Sequence, residues 1–209
     1  MPDSAKPFLP RIHSIPSLQR AARKCEGCLL YKHATQTVFG EGPENARVVM
    51  IGEQPGDNED LQGKPFVGNA GKLLDRALEE AGVVRSEVYV TNTVKHFKWE
   101  ERGKRRIHKK PSAAEINACH PWLEAEIEVI EPDIIVCLGA TAAQSLMGRD
   151  FRVTVDRGKF FESPWTGQLM ATVHPSSLLR ITEESERHRE YQHFVADLKG
   201  VASKLREIG

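Results

Sequence analysis

Residues 133–143 read Asp-Ile-Ile-Val-Cys-Leu-Gly-Ala-Thr-Ala-Ala, and this stretch decides the fold. Ile134 to Leu138 is a wholly apolar run of strand length, ended by Gly139. A helix through Met147 follows at once. Upstream, Arg47 to Ile51 is a second apolar strand, ending at Gly52, and a Gly- and Pro-rich loop continues to Gly68. Gly71 to Ala81 places Leu73, Leu74, Ala77, Leu78 and Ala81 at helical spacing, with Gly82 as a stop. Val88 to Asn92 is another strand, and a basic loop runs from there to Pro111. Ser112-Ala-Ala-Glu115 is a capping box that opens a helix to Ile130. Downstream lie a β-rich stretch from Phe151 to Phe161, a buried strand from Leu169 to Val173, and a polar helix from Glu183 to Ile208. Alternating strands and helices predict an α/β layer with a mostly parallel sheet. In such sheets the chemistry lies outside the carboxyl ends of the strands.

The chain has 209 residues, 40% hydrophobic and 28% charged. That suits one domain able to bury a core without disulfides, and it excludes collagen, mucin and bulk disorder. We expect a core over residues 25–209, with residues 1–24 as an N-terminal extension. No apolar run is long enough to span a membrane. The opening residues, MPDSAKPFLPRIHSIPSLQR, carry Pro and charge where a signal peptide needs an apolar stretch. A cytoplasmic location is the expectation, and nothing calls for more than a monomer.

Net charge is zero, with 29 basic and 29 acidic residues, yet the distribution is uneven. Lys95 to Lys110 holds eight Lys or Arg against two Glu, whereas Glu115 to Asp133 holds six acids and no Lys or Arg. The first segment is a patch that can meet a polyanion by releasing its counterions; the alternative is a solvated loop. Within it, Lys104, Arg105, Arg106 and Lys109 flank His108. Neighbouring cations keep an imidazole neutral and nucleophilic near pH 7, so His108 suits a base or nucleophile held against phosphate.

The strand ends carry the other candidates. Gly52-Glu-Gln-Pro-Gly56 sets Glu53 and Gln54 on a tight turn that is neither a P-loop nor a dinucleotide fingerprint. Phe66, in a constrained loop before a helix, suits stacking on a flat ring or plugging the core. Asn92 offers a donor and an acceptor together, as reading a nucleobase edge requires. His174 can donate to a developing anion. Ser176, Ser177 and Arg180 suit phosphate contacts, and Leu178 or Leu179 an apolar wedge in nucleic acid. Cys25-Glu-Gly-Cys28 is a CxxC before the first strand, where a metal is favoured over a redox pair.

In this order, Gly52–Gly56, Gly63–Gly68, Lys104–His108 and His174–Arg180 resemble the uracil-DNA glycosylase superfamily, with support from Thr91–Phe97 and Leu138–Ala143. The likeness is to its iron–sulfur, type 4-like branch, and most of all to the covalently DNA-binding UdgX group, which the Lys104–His108 loop distinguishes. It spans about Cys25 to Arg180. The resemblance implies a three-layer sandwich on a four-stranded, mostly parallel sheet. It implies a uracil base flipped out of DNA, single-stranded or duplex, with Phe66 stacking on the base and Asn92 reading its edge. His174 would stabilise charge at O2, Glu53 and Gln54 would lie near the sugar, and His108 would attack C1′. It also implies a 4Fe–4S cluster on Cys25, Cys28, His96 and Cys119. His96 stands where type 4 enzymes have Cys, and Cys137, inside an apolar strand, is the rival ligand. The role of Asn69 stays open.

Overall fold

Ser14 and Ser17 form a reciprocal capping box that starts α1 (Ile15–Ala22). The structure, a computed structural model, describes residues 4–209. β1 (Val48–Gly52) is followed by α2 (Asp57–Gln62), α3 (Asn69–Ala81), β2 (Val88–Asn92), β3 (Trp99–Arg102) and β4 (Arg105–His108). After them come α4 (Ala113–Ile130), β5 (Ile134–Leu138), α5 (Ala140–Met147), α6 (Val153–Asp156), β6 (Phe160–Ser163) and β7 (Thr166–Thr172). The chain closes with α7 (Pro175–Leu179) and α8 (Glu184–Ile208). The Ser112–Glu115 capping box opens α4, and Gly82, at φ +73°, ends α3.

The main sheet has the order β2-β1-β5-β7-β6. The first four strands are parallel, and β6 adds an antiparallel edge beside β7. Alternate side chains of each strand enter two separate cores. Val49, Ile51, Ile135, Cys137 and Ala171 pack against the layer of α1, α4 and α5. Val48, Met50, Val136, Leu138 and Met170 pack against α3 and α8. The result is the expected three-layer sandwich, widened by one strand. No helix among the described residues is long and apolar enough to cross a membrane.

Three local expectations change. The stretch from Phe151 to Phe161 holds one short helix and only the start of edge strand β6. The N-terminal extension is packed on the core from residue 5: Ile15, Leu18 and Ala22 are buried in the first core, and Ala5 N donates to Ala118 O at 2.7 Å. The basic loop is a two-stranded hairpin, β3 with β4, turning through Gly103 at φ +63°. Its strands are mostly charged, so no apolar alternation marked them.

Candidate active site

The strand order reverses between β1 and β5, and a cavity of about 710 Å³ opens there at the carboxyl ends of the strands. Glu53, Phe66, Asn92, His108, His174 and Arg180 all line it. Gly52 lies at its floor, paired in register with Asn92. A Cβ on residue 52 would stand 2.4 Å from Asn92 Oδ1, 2.9 Å from Phe66 Cζ and 3.4 Å from His174 Nε2. The glycine is what lets an amide, an aromatic ring and an imidazole converge on one point.

Each of the three is fixed separately. Phe66 holds φ +56°, a left-handed backbone unusual for an aromatic residue. Gly71 of α3 accommodates this bend, since a Cβ there would meet the Phe66 carbonyl at 1.6 Å. The Phe66 and His174 rings lie 6.0 Å apart and nearly parallel, 26° between planes. His174 caps α7: its Nδ1 accepts from Ser176 N at 3.1 Å. Nδ1 is therefore the unprotonated nitrogen, and Nε2 carries hydrogen toward Gly52. Burial, with Arg180 and His108 adding like charge, lowers the His174 pKa to about 4. The ring is a neutral donor at physiological pH.

Asn92 rests on a network absent from the sequence reading. Lys95 is fully buried, and its Nζ donates to the Asn92 carbonyl at 2.7 Å, to Thr91 Oγ1 at 2.7 Å and to Glu126 Oε2 at 2.5 Å. Tyr89 OH, Thr91 Oγ1 and Gly40 N complete the shell of the buried Glu126 carboxylate. A Lys at the head of a basic run reads as one more surface cation; only the helical setting of Glu126 shows otherwise.

Across the cavity, His108 Nε2 lies 3.4 Å from Glu53 Oε1. Thr141 Oγ1 donates to the other oxygen, Glu53 Oε2. His108 is the last residue of β4, on the same strand face as Arg106. Arg106 turns inward: Nη1 lies 2.6 Å from Asp60 Oδ2 and Nη2 lies 2.6 Å from Asp57 Oδ1. Its guanidinium also covers the Phe97 and Trp99 rings, at 5.6 and 5.5 Å. The expected phosphate contact at Arg106 is therefore corrected to a clamp between the hairpin and α2. Gln54 is corrected too. Its Nε2 donates to the carbonyls of Lys98 and Lys109, at 3.2 and 3.0 Å, and its Oε1 accepts from Lys98 N at 2.9 Å. Its amide is occupied in stapling the hairpin base, although the side chain still borders the cavity.

Lys104 and Arg105 are exposed at the hairpin end. Lys109 pairs with Glu100 at 2.6 Å, while its neighbour Lys110 lines the cavity. In the last segment Ser177 Oγ bonds the His174 carbonyl at 2.7 Å, and Ser176 Oγ lies 2.8 Å from His174 Nδ1 and 3.2 Å from Arg180 Nη1. Leu178 is 2% exposed and belongs to the core on the α3 side, so it is no wedge; Leu179, 44% exposed, is the one facing solvent. Helical geometry explains the swap, since neighbouring residues point about 100° apart.

Burial raises the Cys28 thiol pKa and pushes the Cys119 thiol up to about 12. Trp122 Nε1 donates to Cys25 Sγ and Lys95 N to Cys119 Sγ, both at 3.2 Å. Cys137 is buried in β5 and feels burial alone. His96 is buried, with Nε2 3.0 Å from Thr37 Oγ1. That hydroxyl gives its hydrogen to the Ala22 carbonyl, so it accepts from His96 Nε2–H and leaves a lone pair on Nδ1. Among the described residues no group of three or more His, Cys, Asp or Glu is close enough for a single metal ion. A cluster that takes one ligand per iron needs wider spacing.

A family model, the uracil DNA glycosylase superfamily, matches residues 39–199. The chain belongs to this superfamily. It is 42% identical over 161 residues to the type-4 uracil-DNA glycosylase of Thermotoga maritima, covering 76% of this chain and 79% of that protein. With the type-4 uracil-DNA glycosylase of Archaeoglobus fulgidus it shares 37% identity over 186 residues, covering 84% of this chain and 89% of that protein. A type-5 uracil-DNA glycosylase of Thermus thermophilus is more distant, 28% identical over 158 residues, covering 66% and 68% of the two chains.

Proposed function

We propose that the protein excises uracil from DNA and that His108 then bonds covalently to C1′ of the abasic deoxyribose, one turnover per molecule. The observation that carries this reading is His108 Nε2 in the cavity wall, 3.4 Å from Glu53 Oε1 and across from Asn92, Phe66 and His174. A base extruded into the cavity stacks on Phe66, and Asn92 reads its edge through a paired donor and acceptor. The C1′–N1 bond breaks, and its electron pair leaves with uracil. His174 Nε2–H donates to the developing charge at O2, and a neutral ring does so without surrendering its proton.

Glu53 faces the sugar side. The Nε2 lone pair of the His108 imidazole forms the bond to C1′, and the adduct then sheds its Nδ1 proton to solvent. The Glu53 carboxylate opposes positive charge first on the sugar and then on the ring. A positioned imidazole outcompetes water through an effective molarity of about 10⁵ M or more. Lys110 and Arg180 line the same cavity and suit the flanking phosphates, with Lys104 and Arg105 reaching farther along the strand.

Cys25, Cys28, Cys119 and His96 through Nδ1 suit a 4Fe–4S cluster. When bound, it supplies a cross-link between the N-terminal segment, the loop after β2 and α4. Lys95 N–H and Trp122 Nε1–H donate to its thiolates.

The type-4 relatives favour a second reading, in which water attacks C1′ and the protein turns over. One experiment separates the two. The protein is mixed with a labelled uracil-containing single-stranded oligonucleotide, boiled in detergent and run on a denaturing gel. A slow band that needs uracil and disappears in His108→Ala is expected. Cleavable abasic DNA in excess over protein, with no such band, overturns covalent capture in favour of turnover.

A further inference from the structure

We propose that Thr141 is a positioning residue for the capture step, acting through Glu53; this rests on the covalent reading above. A glutamate carboxylate turns about a broad terminal torsion, so one contact does not fix its plane. Here the two oxygens have different partners: Thr141 Oγ1 donates to Oε2, and Oε1 faces His108 Nε2 at 3.4 Å. Thr141 stands in the first turn of α5, just past Gly139, and is 6% exposed. Glu53 follows β1 and Thr141 follows β5, so their hydrogen bond bridges the crevice where the strand order reverses. It ties the carboxylate to the rigid sheet, while His108 arrives on a hairpin attached only by side chains and loops.

The consequence is a division of labour within one carboxylate. With Oε2 held, Oε1 stays beside His108 Nε2, where it orients the ring and opposes the positive charge that grows on it during attack. Without the hydroxyl, the carboxylate rotates and competes for water, so both the rate and the partition between imidazole and water change.

The test uses the full chain with the labelled uracil oligonucleotide under single-turnover conditions, comparing Thr141→Val, which keeps shape, with Thr141→Ser, which keeps the hydroxyl. For Val we expect the limiting rate of adduct formation to fall about 10- to 100-fold, the equivalent of one hydrogen bond to a charged group. Half-saturating DNA concentration should hold, and the ratio of free abasic product to adduct should rise. Ser should return both readouts to within about threefold of the parent. An unchanged limiting rate and partition in Val, or a Ser variant as impaired as Val, overturns the proposal. Should Val fail to fold, Thr141→Ala is read in the same way. If the parent protein forms no adduct, covalent capture has failed instead. Thr141 is then judged on excision rate: a loss in Val that Ser rescues supports its hold on Glu53, and equal rates overturn it.

Discussion

Arg106 Nη1 lies 2.6 Å from Asp60 Oδ2, and Asp60 has no exposed surface. A cation from the most basic segment of the chain thus neutralises a buried acid on a different element. Thr35 N also donates to that carboxylate, at 2.9 Å. Removing Arg106 leaves the charge uncompensated, which costs about 3 kcal/mol or more. Arg106→Ala should lower unfolding free energy by that amount in denaturant titrations and slow adduct formation, because His108 lies two residues away on the same strand face. Arg106→Ala with Asp60→Asn should recover much of the stability but not the capture rate.

Gly52→Ala tests the convergence in the cavity floor. The added methyl meets Asn92 Oδ1 and Phe66 Cζ at contacts that side chains do not tolerate. Overpacking of this kind costs about 1–3 kcal/mol, so uracil excision should fall about 10- to 100-fold. Circular dichroism should show the sheet intact.

His174 gives a pH signature with a definite sign. Its folded pKa is about 4, below the ordinary histidine value, so the unfolded chain binds the extra proton first as pH falls. Its contribution to stability is complete above about pH 6.5 and is lost between there and pH 4, up to about 3 kcal/mol, less where the cavity admits solvent. Denaturant curves of the parent and His174→Gln at pH 7.5 and 4.5 should show the parent losing more stability on acidification.

Lys95→Met should cost about 3–5 kcal/mol by stranding Glu126 in the core. Lys95→Met with Glu126→Leu should regain much of it. Uracil affinity should stay impaired in both, since Asn92 has lost the donor beneath its carbonyl.

For the proposed cluster, iron per protein is the measurement. His96→Ala should lower it, His96→Cys should keep it, and Cys137→Ser should leave it unchanged. Full iron in His96→Ala with loss in Cys137→Ser would reassign the fourth ligand.

Strands β1 and β5 were legible because each is an unbroken apolar run closed by Gly, β2 because Val-Tyr-Val-Thr is β-branched and aromatic up to Asn92, and α4 because a capping box announces it. Edge strand β6 was not, since one face of it is half-exposed and its composition is mixed. At the site, Glu53, Phe66, Asn92 and His174 were legible as polar or aromatic residues at or just beyond strand ends, and His108 by the cations around it; the cavity gathers all five. What the sequence concealed was direction. Arg106 and Lys109 look alike in a basic run, yet one turns inward to Asp60 and the other outward to Glu100. Gln54 looked like a ligand contact because nothing in its vicinity predicts that backbone from residues 98 and 109 would occupy it. Thr141 sat within a quoted motif, but its partner lies 88 positions away.

The hairpin of β3 and β4 pairs with no strand of the main sheet. Side chains hold it to the body: the Gln54 amide at its base, the Arg106 guanidinium midway along, and Trp99 Nε1 on the His33 carbonyl. Such an accessory can vary by insertion and deletion while the main sheet keeps its strand pairing, provided the buried Asp60 is replaced or compensated along with it. Shortening it to a bare connection would remove the proposed nucleophile and at the same moment release Gln54's amide into the vacated space. The proposed covalent retention is in that sense a detachable trait, carried on a part that lies outside the main sheet.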